Sequence, residues 1–172
     1  MRLFVALDLP DDARLTLAAL KVDTDVWRPV NPDSLHITLA FLGTRPDEDV
    51  ATITPLIKRE TTAPQLTFGP VLLLPPRRPK VLTIELKEHG LSALQQRIAG
   101  ALEAAGVYTP EKRPFRPHVT LARLRPRERA PRTDLTLEPL TFHGTAVTLY
   151  ASRLHPTGAR YEPLATAPLA AP

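Results

Sequence analysis

The sequence predicts an α+β protein built on largely antiparallel sheet. Two observations carry that class: three segments with helix-like spacing or starts are interleaved with about eight short strand-like runs, and most of those runs are linked by short turns rather than by crossover helices. A third observation is internal: the pattern His-x-Thr-Leu occurs twice, at His36 and at His118, each time inside a strand-like run.

Taken in order, residues 2 to 9 form an apolar run ended by Pro10 and read as a buried strand. Asp11 and Asp12 suit a helix start, with Ala13, Leu15, Ala18 and Leu20 offered as its packed face. Trp27 to Val30 reads as a short strand. Leu35 to Leu42 reads as a strand stopped by Gly43. Thr44, Pro46 and the acidic run Asp47, Glu48, Asp49 resemble a capped helix start, and Val50, Ile53 and Ile57 follow at helical spacing, with Pro55 expected to bend or shorten the helix. Leu66 to Leu74 and Val81 to Leu86 are strand candidates joined by a Pro/Arg loop. Leu91, Leu94, Ile98, Leu102 and Ala105 mark one face of a helix that Gly106 should end. Strands are expected at His118 to Leu124, Leu135 to Phe142, Ala146 to Leu154 and Tyr161 to Leu164, and residues 166–172 are expected to fray.

A chain of 172 residues is expected to fold as a single domain spanning 1–172. It has no cysteine, which removes disulfide frameworks, thiolate metal sites and a cysteine nucleophile, and fits a reducing compartment. The apolar run before Asp8 is too short for a signal-peptide core or a membrane span, so a cytoplasmic protein without a membrane role is expected. The net charge of +4 is unevenly placed. Lys112 to Arg132 holds eight basic residues against Glu128 alone, a net of +7, so the remainder carries −3. Such a stretch is either a solvated edge or an anion-attracting flank.

The two His-x-Thr-Leu motifs lie 82 residues apart, and Ala follows each, at Ala40 and Ala122. Random placement of this composition gives about 0.09 occurrences of the pattern, so a matched pair is informative. Residues two apart on a strand share a face, so His36 and Thr38 point together, as do His118 and Thr120, while Ile37, Leu39, Val119 and Leu121 face the core. Two such strands side by side about a two-fold axis frame a pocket with two proton-transfer groups and two hydroxyl donors. An anionic phosphodiester needs that set: one histidine takes a proton from water, the other gives one to the departing oxygen, and the hydroxyls bind the non-bridging oxygens where charge grows. No metal and no cofactor are called for. His89, His143 and His155 lack ligand-like spacing and read as ordinary residues.

At these residues the sequence resembles the 2H phosphoesterase superfamily, and within it the RNA 2′,3′-cyclic phosphodiesterase family, also called 2′-5′ RNA ligases. Arg2-Leu-Phe-Val-Ala-Leu-Asp resembles the family's opening strand, Leu35-His-Ile-Thr-Leu-Ala-Phe-Leu-Gly43 its first motif, Phe115-Arg-Pro-His-Val-Thr-Leu-Ala-Arg123 its second, and Ser152 to Tyr161 its closing hairpin. The resemblance implies a bilobal, pseudo-two-fold fold, with antiparallel sheets forming a central cleft and helices packed outside. It implies metal-independent hydrolysis of an RNA 2′,3′-cyclic phosphate to a 2′-phosphomonoester. By motif order it makes His36 the proton donor and His118 the proton acceptor, a choice that the symmetry of the sequence cannot make, and it gives Thr38, Thr120 and Arg123 to the substrate phosphate.

Strand parity alone sets Arg123 opposite His118, so a bulge, a twist or the strand end must turn it toward the cleft. Arg77 and Arg78 read as solvated loop residues within reach of an RNA backbone, and Phe41 and Tyr161 as packing residues rather than base-stacking ones. The expected partners are RNA ends or nucleotides bearing a 2′,3′-cyclic phosphate, with a nucleoside triphosphate as a further candidate, and the protein is expected to be a monomer. Ligation of tRNA halves through a 2′-5′ linkage at the same site, and an RNA-end binding module without turnover, are the competing functions.

Overall fold

The computed structural model describes residues 1–172 and contains nine strands and three helices. β1 (Arg2–Asp8), α1 (Asp11–Ala18), β2 (Trp27–Pro29), β3 (His36–Thr44) and α2 (Asp49–Ile57) are followed by β4 (Gln65–Leu74), β5 (Val81–His89), α3 (Leu91–Ala104) and β6 (His118–Leu124). β7 (Thr141–His143), β8 (Ala146–Arg153) and β9 (Arg160–Pro168) complete the chain. All the strands join one sheet in the order β7-β4-β5-β6-β3-β1-β8-β9, with β2 also paired to β6, and every ladder between strands is antiparallel.

The order divides into two sets of four about the β6–β3 junction. On each side of the junction the motif strand is followed outward along the sheet by the strand that leads to it in the chain, β1 beside β3 and β5 beside β6, each separated from its motif strand by a helix. That is the expected pseudo-two-fold, and both ends of the chain lie in the β1 lobe.

The helices cover the face of the sheet opposite the motif side chains, with α2 packed on α3 and on β8 and β9, and α3 on β3 and β5. α3 buries Leu91, Leu94, Ile98 and Leu102 of the predicted stripe, ends at Ala104 so that Ala105 is its exposed C-cap rather than a packed position, and is followed by Gly106, whose φ of 74° lets the chain turn out of the helix. Its start carries a cap that spacing does not reveal: the Glu88 carboxylate accepts from the backbone N–H groups of Leu91 (2.7 Å) and Ser92 (3.3 Å) and from the Ser92 hydroxyl (2.7 Å).

Several expectations fail in physically traceable ways. α1 buries Ala13 and Leu17, one turn apart, and leaves Leu15 70% exposed, because only the i, i+4 stripe of so short a helix meets the core. β3 continues through Gly43 to Thr44, held by the Leu3 and Arg2 pairings to β1. No side chain caps α2, which starts at Asp49 and runs two residues past Pro55. The strand expected over Leu135 to Phe142 shrinks to β7, since Pro131 and Pro139 offer no ladder N–H and Leu135, Leu137 and Leu140 pack individually on the core. The segment 166–172 does not fray as a whole. Thr166 to Pro168 belong to β9, Ala167 is buried, and the backbone N–H groups of Leu169 and Ala170 donate to Thr145 (2.9 Å) and Thr61 (2.8 Å).

Candidate active site

β3 and β6 meet at one pair, Ile37 opposite Val119, both fully buried. The antiparallel register around that pair sets His36 across from Thr120 and Thr38 across from His118. The burial of each motif strand alternates as the sequence predicts, with half-buried His36 and Thr38, and His118 and Thr120, on one face and the apolar residues on the other. The structure therefore brings the two imidazoles and two hydroxyls to one floor at the pseudo-dyad. A hollow of about 110 Å³ opens beside His36, lined by Asp33, Ser34, Leu35, Tyr150 and Tyr161.

Both imidazoles are fixed in the same way. His36 Nδ1 lies 2.7 Å from the carbonyl oxygen of Ser34, and His118 Nδ1 lies 2.8 Å from that of Arg116, each carbonyl two residues upstream. A carbonyl only accepts, so Nδ1 carries the proton in both rings and Nε2 is the atom turned to chemistry. His36 Nε2 lies 3.0 Å from the Thr38 hydroxyl. Burial holds the His36 imidazole below its ordinary value, against the Ser34 carbonyl and the Asp8 charge, which favour the protonated ring; the Arg123 and His118 charges add to the lowering.

Arg123 reaches the cleft through a bulge. The β5–β6 register passes from Thr83–Thr120 to Leu82–Ala122 and skips Leu121, which brings Arg123 onto the face of His118 and Thr120 and opposite Val81. β3 carries the same irregularity: its register with β1 passes from Ala6–Thr38 to Val5–Ala40 and skips Leu39. Phe41 therefore holds in β3 the place that Arg123 holds in β6. Phe41 packs on Phe4, with ring centroids 6.1 Å apart, and is at the same time 58% exposed at the rim of the cleft.

The two walls of the cleft differ accordingly. On the β1 side Phe4 stacks on Tyr150 (ring centroids 5.3 Å apart) and meets Tyr161 edge-on (4.9 Å) and His36 (5.0 Å). Tyr161 thus packs against the first motif as expected, at 5.4 Å from the His36 ring. Asp8 pairs with His36 across the β1–β3 ladder and accepts hydrogen bonds from the Thr148 hydroxyl (2.6 Å) and the Tyr150 hydroxyl (2.8 Å). Burial, then the Asp8 carboxylate, pushes the Tyr150 phenol well above its usual range, so it stays a donor. On the other side Glu85 pairs with His118 as Asp8 does with His36, but a guanidinium faces it: Arg116 lies 3.9 Å away.

Sequence spacing alone does not single out Asp8, Tyr150 or Glu85. Their signal is register, since each sits on the cleft face only because of the strand paired beside it. His89 and His143 line a separate hollow of about 480 Å³ that contains none of the motif residues, and His155 closes a turn with Thr157. Arg77 and Arg78 are exposed in the β4–β5 loop. No helix is long and apolar enough to cross a membrane.

Comparisons with known proteins converge on this arrangement. The model of the 2′-5′ RNA ligase superfamily matches residues 9–156. An RNA 2′,3′-cyclic phosphodiesterase of Thermus thermophilus is 33% identical over 94% of this chain and 86% of its own length. A crystal structure of a Thermus thermophilus protein, TT0787, superposes with a TM-score of 0.86 at 32% identity, covering 98% of this chain and 97% of that one. Escherichia coli LigT, solved with 3′-AMP and with ATP, superposes with TM-scores of 0.78 and 0.75 at 30% and 29% identity, again covering 98% of this chain and 97% of LigT. With one sheet folded about two His-x-Thr strands, and with this match along most of its length, the chain belongs to the 2′-5′ RNA ligase superfamily, within the 2H phosphoesterases.

Proposed function

We propose that this protein hydrolyses RNA 2′,3′-cyclic phosphates to 2′-phosphomonoesters by two-histidine general acid–base catalysis, without a metal. The observation that carries the reading is the pair of imidazoles on adjacent motif strands, each with Nδ1–H held by a backbone carbonyl and each beside a threonine hydroxyl. The name of the Thermus relative supports the substrate, and LigT's binding of 3′-AMP and ATP supports a nucleotide or RNA ligand.

In the reaction, His118 Nε2 takes a proton from water as the oxygen attacks phosphorus. The P–O3′ bond breaks, and protonated His36 gives its Nε2 proton to the departing O3′. The Thr38 and Thr120 hydroxyls and the Arg123 guanidinium bind the non-bridging oxygens, where negative charge is greatest in the transition state. Proton acceptor, proton donor and anion donors are all side chains of the chain itself, so the chemistry has no step left for a Lewis acid. The acid is assigned to His36 by motif order; the carboxylates facing the two rings are unequal, Asp8 standing free of any cation opposite His36 while Glu85 faces Arg116 opposite His118. Solvent exchange returns the two rings to their starting states after each turnover.

The test is incubation of the protein with a nucleoside 2′,3′-cyclic phosphate and excess EDTA, with product analysis. A 2′-phosphomonoester formed at an undiminished rate is expected. No turnover leaves an RNA-end binding module, loss of turnover in EDTA overturns the metal-free mechanism, and joined 2′-5′ products from tRNA halves assign ligation instead.

A further inference from the structure

Arg28 and Arg123 stand directly opposite one another in the β2–β6 ladder. Directly opposed side chains on neighbouring strands share a face, and like charges so placed destabilise the pair. The arrangement is not relieved within the protein: neither guanidinium is in an ion pair or donates a side-chain hydrogen bond, and Asp23 and Asp25, in the turn before β2, lie beyond ion-pair distance of both. The basic neighbour Arg125 is already engaged, its Nε donating to the Thr24 carbonyl at 2.7 Å.

The face is the cleft face. Trp27, next to Arg28, is buried in the core and pairs with Leu124, so Arg28 points the other way, with the bulge-turned Arg123. Arg28 lies across the sheet from the end of β6, three residues beyond Thr120, which is on the order of 7–10 Å along the strand. Arg28 stands one strand over from Arg123, so it lies farther along the cleft than the guanidinium that reaches the phosphate at the histidine pair.

We propose that Arg28 forms a second phosphate site next to the one that Arg123 serves: it binds the phosphate on the 5′ side of the terminal nucleoside while the cyclic phosphate occupies the histidine pair and Arg123. The inference rests on the proposed function. It explains why two unpaired arginines are held face to face: one phosphate at each guanidinium supplies the missing negative charge, and arginine's planar fork suits phosphate oxygens. It also makes the site read a nucleotide within a strand rather than a bare cyclic phosphate.

The test compares kcat/KM of the wild type and Arg28→Gln on three substrates: a nucleoside 2′,3′-cyclic phosphate, the same compound with a 5′-phosphate, and a dinucleotide ending in the cyclic phosphate. The wild type should prefer the two substrates with a second phosphate. In Arg28→Gln that preference should fall about tenfold, the effect of roughly one charge-assisted hydrogen bond, with Arg28→Lys intermediate. A loss confined to the 5′-phosphorylated compound assigns the site to a free terminal phosphate, and a loss on both assigns it to the backbone position; each supports a second site. The log–log salt slope for the dinucleotide should flatten in Arg28→Gln. An unchanged preference in Arg28→Gln, or no wild-type preference at all, overturns the inference while leaving the proposed function intact; failure of the wild type on all three substrates overturns the function itself.

Discussion

Asp8 lies directly across the β1–β3 ladder from His36, and its negative charge favours the protonated imidazole that burial, Arg123 and His118 disfavour. The acid of the proposed mechanism is thus poised by opposing effects. Because burial lowers it, His36 holds its proton less readily than an ordinary imidazole, and kcat/KM should fall as pH rises through that lowered value. Asp8→Asn removes a raising influence, so the falling limb should move to lower pH. NMR titration of the His36 ring should show the same downward move. A limb that stays in place removes Asp8 from the control of the acid.

The two histidines should be individually necessary. His36→Ala and His118→Ala should each lower kcat by about 10²–10⁴-fold, the usual span for a positioned acid or base. Circular dichroism should show the fold intact, since both rings border the cleft and the neighbouring Ile37 and Val119 carry the packing. Near-wild-type activity in either variant would contradict the two-histidine mechanism.

Replacing a hydroxyl without changing bulk isolates the anion donors. Thr120→Val should reduce kcat by roughly 10²-fold or somewhat more, as expected for loss of one oxyanion donor. Thr38→Val should cost more than Thr120→Val, because the Thr38 hydroxyl also contacts His36 Nε2 at 3.0 Å. Equal losses in kcat would show that this contact does not position the ring.

His36 also leaves a mark on stability. Its folded value is lower than the unfolded one, so the native state binds fewer protons. Stability is fully present above about pH 6.5 and is lost as pH falls through the lowered folded value. His36→Gln should flatten that part of the stability curve, measured by urea unfolding between pH 5 and 8 (about the range over which histidine titrates). An unchanged slope would place the acid sensitivity elsewhere.

Gly144 provides a packing test away from the cleft. A Cβ there would fall 2.6 Å from Cδ1 of fully buried Leu7. Gly144→Ala should destabilise the protein by about 1–3 kcal/mol through overpacking, read as a fall in Tm with activity per folded molecule retained.

The sequence makes the two motifs legible because a repeated His-x-Thr-Leu is both rare and strand-periodic, and it makes α3 legible because four leucine and isoleucine residues keep one stripe. It also predicts that something must turn Arg123, but not that the same bulge recurs after Thr38 and exposes Phe41, since a skipped residue is visible only against its partner strand. Asp8, Glu85 and Arg28 are hidden for the same reason. Each draws its meaning from the residue across a ladder, and ladders between residues far apart in the chain leave no local pattern. The lost strand at Leu135 shows the reverse error, where apolar content suggests a ladder that flanking prolines prevent.

The Asp8–Tyr150 hydrogen bond joins residues 142 apart. The lobe around His118 is drawn from neighbours in the chain, β4 to β7, whereas the lobe around His36 needs β8 and β9 to close over β1. During synthesis the half carrying the proposed base can therefore assemble as soon as β7 emerges, while the half carrying the acid must wait for the end of the sheet. A nascent chain stalled before β8 would hold both histidines yet have an unfinished acid wall, so activity should appear only as the last hairpin docks.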